Sequence, residues 1–314
     1  MSDKDSNKEH QYKINHSIAD PNQEAATPVP AATVLLVREG KTTPEVFMIQ
    51  RAAKTNFGGA WVFPGGKLDQ EDYQESLYDK CVGLNDQKAS EILGIKSSGL
   101  GYWVACIREC FEECGVLLAY TEDKKLFNPD VEQQKILDSY RDKLNNGEHV
   151  LNELCEEFNL TLATDHLGFL SHWITPKMEK RRYDTRFFVA LSPEHQKAEH
   201  DGGEGVKSTW ITPEEALTKG AEGTFPIIMP TIKNLEAISG FSTTEDLLDD
   251  KSKNNHQKSP SILPKFFMED GKLVGLLPGD EGYEDHSAIT ISKKINCRQR
   301  KRLYRTWNKY LYSR

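Results

Sequence analysis

Arg108-Glu109-Cys110-Phe111-Glu112-Glu113-Cys114-Gly115-Val116 is the stretch that decides how this chain folds. At helical spacing Glu109, Glu112 and Glu113 stand at i, i+3 and i+4, stacked on a single face. Cys106, Ile107, Cys110 and Phe111 supply an apolar side, and Gly115 suits the left-handed residue that ends a helix. Three carboxylates crowded into one turn repel each other by about 0.2 to 0.5 kcal/mol per pair, and Arg108 offsets part of that through its i+4 partner Glu112. A hard divalent cation is the natural counter-ion, because Mg²⁺ binds through a few carboxylates and keeps positions open for water and phosphate oxygens. The helix is predicted over Tyr102 to Cys114, and the apolar run Val116 to Ala119 after it reads as a strand.

Upstream, Ala32 to Arg38 and Glu45 to Gln50 read as two strands joined by a turn at Gly40, Lys41 and Pro44. Ala60 to Phe63 is a third, ending in Pro64-Gly65-Gly66, a turn whose backbone can approach phosphate or fold tightly against the helix. The polar segment 73–101 reads as an insertion that forms a helix or two of its own. Residues 129 to 158 give two more helices, broken near Asn145-Asn146-Gly147. Phe169 to Ile174, Arg186 to Leu191 and Ser208 to Ile211 return to strand character, with Phe187, Val189 and Leu191 alternating as a core face. Pro213 then opens a helix with Thr212 as its N-cap. Strands on both sides of helices imply an α/β layered domain.

The 314 residues fit one catalytic domain with elaborations, or that domain plus an appendage. Residues 1–28 are polar and aperiodic and are expected to be disordered, 29–240 to form the domain, and 241–261, acidic and then rich in Lys, Asn and Ser, to be a mobile linker. In the extension 262–314, Leu263 to Met268 and Lys272 to Leu277 flank Asp270-Gly271, a hairpin signal. No apolar run nears the roughly 18 residues of a membrane span, and the polar first residues lack a secretory pattern, so the cytoplasm is the expected compartment. A net charge of -8 argues against general nucleic-acid binding. The exception is Lys293 to Arg314, basic, interleaved with aromatics and free of acids. It reads as a helix covering its own domain's acidic face and leaves nucleic acid open as a partner. The six cysteines include no Cys-x-x-Cys pair, and three recur every fourth residue on the glutamate helix, which suits a packed face better than a zinc site.

These residues resemble the Nudix family, whose signature is a glycine, an acid six residues later, and eight residues further the string Arg-Glu-aliphatic-x-Glu-Glu-x-Gly-aliphatic. Here the second half is Arg108 to Val116, with Cys110 at the aliphatic position. Gly94 has the spacing of an uninterrupted signature, but its acid position is Leu100 and no strand precedes it. Gly66, with Asp72 six residues on, is the better start; an unbroken signature would then put its arginine at position 80, so Arg108 implies 28 inserted residues. The split is similar to that of the subgroup with the peroxisomal coenzyme A and acyl-coenzyme A diphosphatases. The likeness runs through Arg51-Ala52, Trp173 to Pro176, Arg181 to Phe188 and Trp210 to Leu217, covering roughly residues 31–235. Asn56 departs from it, standing where better-known members carry a second arginine, and the final Ser-Arg is not a peroxisomal address.

The resemblance implies a Nudix α/β/α sandwich with a mixed sheet, a helical insertion and a C-terminal extension. It implies hydrolysis of a diphosphate linkage in a nucleotide-like metabolite, with coenzyme A or an acyl-coenzyme A as the lead. Mg²⁺ or Mn²⁺ would sit on Glu109, Glu112 and Glu113, with Arg108 orienting a carboxylate. The general base would be a box acid such as Glu112, or Glu204 in the loop Asp201-Gly202-Gly203-Glu204-Gly205. Arg51, Arg181, Arg182 and Arg186, with the backbone of Gly65 and Gly66, are the candidate substrate contacts, since arginine suits bidentate anion recognition; read singly, each arginine also suits a surface residue or a salt-bridge partner. The expected partners are a small nucleotide diphosphate and a second copy of the chain. Two other readings stand beside this one: a Nudix module that senses a nucleotide without turnover, and a decapping-like enzyme whose basic tail holds RNA.

Overall fold

The computed structural model describes residues 19–20, 23–55, 57–254, 260–269 and 272–285. The basic tail, Asn56, the Asp270-Gly271 turn and most of the N-terminal segment expected to be disordered lie outside the described residues.

Two β-branched and apolar runs begin the fold as β1 (Val29–Arg38) and β2 (Glu45–Arg51). They pair antiparallel at Val37 with Val46 and Arg38 with Glu45, then part. The split is filled by β3 (Trp61–Val62) and β4 (Gly65–Lys67), which bond to opposite walls: β3 pairs with β2, and β4 with Ala31 to Thr33 of β1. Pro64-Gly65-Gly66, expected as a turn, is thus partly strand. Only glycine fits at 65, because its φ is 157° and a Cβ there would lie 2.5 Å from the Ala32 carbonyl oxygen.

The inserted segment carries α1 (Glu75–Tyr78) and α2 (Asp86–Leu93). Asn85 caps α2 by accepting from the Lys88 amide, and Gly94 ends it at φ 67°. The helix α3 (Leu100–Cys114) follows and stops where expected, at Gly115 with φ 73°. The apolar run after it is buried, yet only Ala119 and Tyr120 form a strand, β5 (Ala119–Tyr120). The helices α4 (Val131–Asn145), opened by an Asp130–Gln133 capping box, and α5 (Leu151–Glu157) form the expected pair. β6 (Thr161–Leu162) returns to pair with β5.

The strands β7 (Gly168–Ile174), β8 (Tyr183–Leu191) and β9 (Gly205–Ile211) complete the main sheet. β8 runs parallel to β1 along its length while β7 and β9 join antiparallel to β8 and β2, so the sheet is mixed. Alternation along β1 splits the core into two layers. Ala32, Val34 and Leu36 pack with α3, whereas Leu35 and Val37 pack on the opposite layer. That layer holds α6 (Pro213–Ala221), capped by the Thr212 hydroxyl as expected, and α7 (Met229–Ile238). Helices on both faces of one mixed sheet make the α/β/α sandwich.

The linker reading of 241–261 is corrected by α8 (Thr244–Asn254), whose first turn is fixed by the Glu39 carboxylate and whose Leu247 is fully buried in the second layer. The chain beyond is likewise no separate appendage at its start. β10 (Ser261–Ile262) adds parallel to β7, and Ile262 and Leu277 belong to the same core layer. β11 (Lys265–Glu269) and β12 (Lys272–Leu276) pair antiparallel, with Glu269 opposite Lys272, the hairpin that Asp270-Gly271 predicts. Among the described residues no helix is long and apolar enough to cross a membrane.

Candidate active site

The carboxylates of α3 lie over the split between β1 and β2. Close approach is possible because Gly66 has no side chain: a Cβ there would sit 2.5 Å from Glu109 Oε2. The Gly65 amide donates to Glu113 Oε2 at 2.9 Å, tying the last turn of the helix to β4. The glycines therefore seat the helix, the tight packing that the sequence offers for this turn beside an approach to phosphate.

Arg108 is the hub. Its Nε and Nη2 donate to the two oxygens of Asp72 at 2.9 Å each, Nη2 also reaches the Lys67 carbonyl at 2.8 Å, and Nη1 serves Glu109 at 3.0 Å and Glu112 at 2.9 Å. The two halves of the signature thus meet through space, across the insertion. Burial works against the guanidinium's charge, but the Asp72 bond and the carboxylates around it hold its pKa raised.

The acids outnumber that cation. Burial pushes up the pKa of Glu109, against the pull of Arg108 and with repulsion from Glu112 and Glu113 adding to it. Burial raises Glu112 too, again opposed by Arg108. Glu113 is pushed up to about 8 by burial, with the Gly65 amide and Arg51 pulling down and Glu204 pushing up. Among the described residues no three acidic, His or Cys side chains form a finished ligand set, because these carboxylates are turned onto Arg108 and Gly65. Their chemistry nevertheless fits a hard cation: several oxygen donors, on one helical face, with more negative charge than one guanidinium balances.

Arg51 and Glu204 are brought to the same place. Arg51 Nη2 lies 3.1 Å from Glu204 Oε2, and both act on the charge of Glu113. Glu204 is largely exposed, on a loop tightened by Asp201, whose carboxylate accepts from the amides of Glu204 and Gly205. Arg181 is exposed. Arg182 and Arg186 do not fit substrate contacts: both are buried and bonded inside the protein. Arg182 holds the carbonyls of Thr175 and Ala26, while Arg186 engages Asp184 and His172 and stacks over the Tyr102 ring.

Cys106, Cys110 and Cys114 are fully buried, as a packed stripe requires. Sequence reasoning missed Arg141 of α4. Its Nε donates to the Glu112 carbonyl and its Nη2 to the Glu199 carbonyl, both at 2.8 Å. An arginine in a charge-rich helix carries no signal of such a task.

The NUDT19 Nudix domain family matches residues 80–237, just over half of the chain. The chain is 26% identical over 288 residues to "Acyl-coenzyme A diphosphatase NUDT19" of Xenopus laevis, covering 80% of this chain and 74% of that protein. It is 24% identical over 308 residues to the Homo sapiens protein of the same name, covering 85% and 82%. Among solved structures, a Nudix hydrolase from Alicyclobacillus acidocaldarius superposes with a TM-score of 0.60 at 22% identity, covering 71% of this chain and 96% of that one, which shows the shared fold. With the signature closed through space by Asp72 and Arg108 and the domain matched, the chain belongs to the NUDT19 Nudix domain family.

Proposed function

We propose that the protein hydrolyses the diphosphate linkage of coenzyme A or an acyl-coenzyme A with the help of Mg²⁺ or Mn²⁺. The observation that carries this reading is the partly buried carboxylate cluster of α3, with Glu109 and Glu112 held by Arg108 and Glu113 by the Gly65 amide, seated on Gly65 and Gly66. The relatives named as acyl-coenzyme A diphosphatases support the substrate class.

In the proposed reaction one water oxygen adds to a phosphorus, the bridging P–O bond breaks, and two phosphomonoesters leave. A bound divalent ion would neutralise the diphosphate and lower the pKa of a water ligand. Glu109, Glu112 and Glu113 would hold it. Arg108 keeps two of these carboxylates in place and is itself held by Asp72. Arg51 would supply a cation for a phosphate oxygen, and Glu204, its present partner, would accept the proton of the attacking water. The five described cysteines are free thiols, which suits a reducing compartment such as the cytoplasm.

The test is incubation with Mg²⁺ or Mn²⁺ and a panel comprising coenzyme A, acyl-coenzyme A, a nucleotide sugar and capped RNA. Products from the first two are expected, and Glu113→Gln should abolish them while leaving the fold intact. Preference for capped RNA would replace this reading with decapping, and no product from any compound would make the domain a sensor.

A further inference from the structure

The end of α3 is held by groups that the signature does not contain. An α-helix leaves its last carbonyls without partners of its own. Here the Glu112 carbonyl accepts from Arg141 Nε at 2.8 Å and from Asn145 Nδ2 at 3.4 Å, and the Cys114 carbonyl accepts from the Glu199 amide at 2.9 Å. The same guanidinium donates Nη2 to the Glu199 carbonyl at 2.8 Å. One planar fork therefore joins the turn that carries Glu112 and Glu113 to the start of the loop that carries Glu204. From Glu199 the chain is short and tied down: His200 bonds Ser208, Asp201 gathers the amides of Glu204 and Gly205, and the Glu204 carbonyl accepts from the Ala52 amide.

We propose that Arg141 is a positioning residue for hydrolysis, setting the distance between the box carboxylates and Glu204. This rests on the hydrolase reading above. Arg141 acts through carbonyls on two segments and touches no reacting atom. A compact ammonium at this position could serve one carbonyl but not both, so a lysine keeps the charge and loses the join.

Arg141→Ala and Arg141→Lys are to be compared with the wild-type full chain in two measurements. The first is hydrogen exchange without metal or substrate. In both variants residues 113–117 and 199–206 should exchange faster, while β1 and β8 stay protected and the melting temperature changes little. The second is steady-state turnover of coenzyme A with Mg²⁺, where misplacement of catalytic groups should lower kcat by roughly tenfold or more, with KM moving by no more than about twofold. Unchanged exchange in the two segments overturns the proposal, and so does a kcat loss that merely tracks a general loss of protection. Should the alanine variant fail to fold, the lysine variant carries both measurements alone. Wild-type inactivity on every diphosphate would sink the hydrolase reading, whereas localised exchange would still support the join.

Discussion

Arg108 is surrounded by oxygen: Asp72, Glu109, Glu112 and the Lys67 carbonyl all accept from it. The side chains of Arg108 and Asp72 are only 6% and 0% exposed, so water cannot substitute for either. Arg108→Ala should therefore destabilise the protein by about 3 to 5 kcal/mol, as expected when one partner of a buried ionic group is removed. Urea unfolding measures this, and a change below about 1 kcal/mol would show the site to be as solvated as a surface pair. Saturating Mn²⁺ should restore part of the loss, since a divalent ion offers the stranded carboxylates another counter-charge.

At the level of elements, α8 shows where composition misleads. Thr244 to Asn254 is polar enough to read as a tether, but Leu247 is fully buried and the Glu39 carboxylate bonds the Thr244 amide at 2.6 Å. Leu247→Ala should cost about 2 to 5 kcal/mol, as for a buried leucine whose cavity does not collapse; a tether would tolerate the change, and thermal unfolding separates the two. Elements with strong local signals were legible in the sequence. The glutamate helix ends at Gly115, Thr212 caps α6, and Glu269 faces Lys272 across the predicted hairpin. What was not legible depends on partners far away in sequence. β4 consists of two glycines and a lysine, and is a strand only because β1 and β2 diverge around it. Arg182 and Arg186 were candidates because arginine suits anion recognition, but their partners, the carbonyls of Ala26 and Thr175 and the side chains of Asp184 and His172, are set by the packed sheet.

For the whole molecule, buried acids tie stability to pH. Glu113, raised from 4.5 to about 8 chiefly by burial, keeps a proton in the folded state that the unfolded chain has already released. Between those two values each rise in pH favours unfolding, so the metal-free protein should melt at lower temperature as pH goes from about 5 to 8. Saturating Mg²⁺ should flatten this slope, because binding requires the deprotonated carboxylates. A metal-free melting curve indifferent to pH over that range would show the carboxylates to be hydrated after all.

The clasp between Asp72 and Arg108 makes peptide continuity unnecessary where it might seem essential. Gly65 and Gly66 are pinned by the sheet and by α3, Asp72 is gripped across the fold, and Leu77, Leu93 and Trp103 hold the stretches before and after residues 96–98 in the core, so only the link between those stretches is dispensable. Lys96 to Ser98 form an exposed bend on that path. A single tryptic cut after Lys96 should therefore leave two fragments that co-elute on gel filtration and turn over substrate like the uncut enzyme, much as two halves of a broken ring stay usable when a rivet spans the gap.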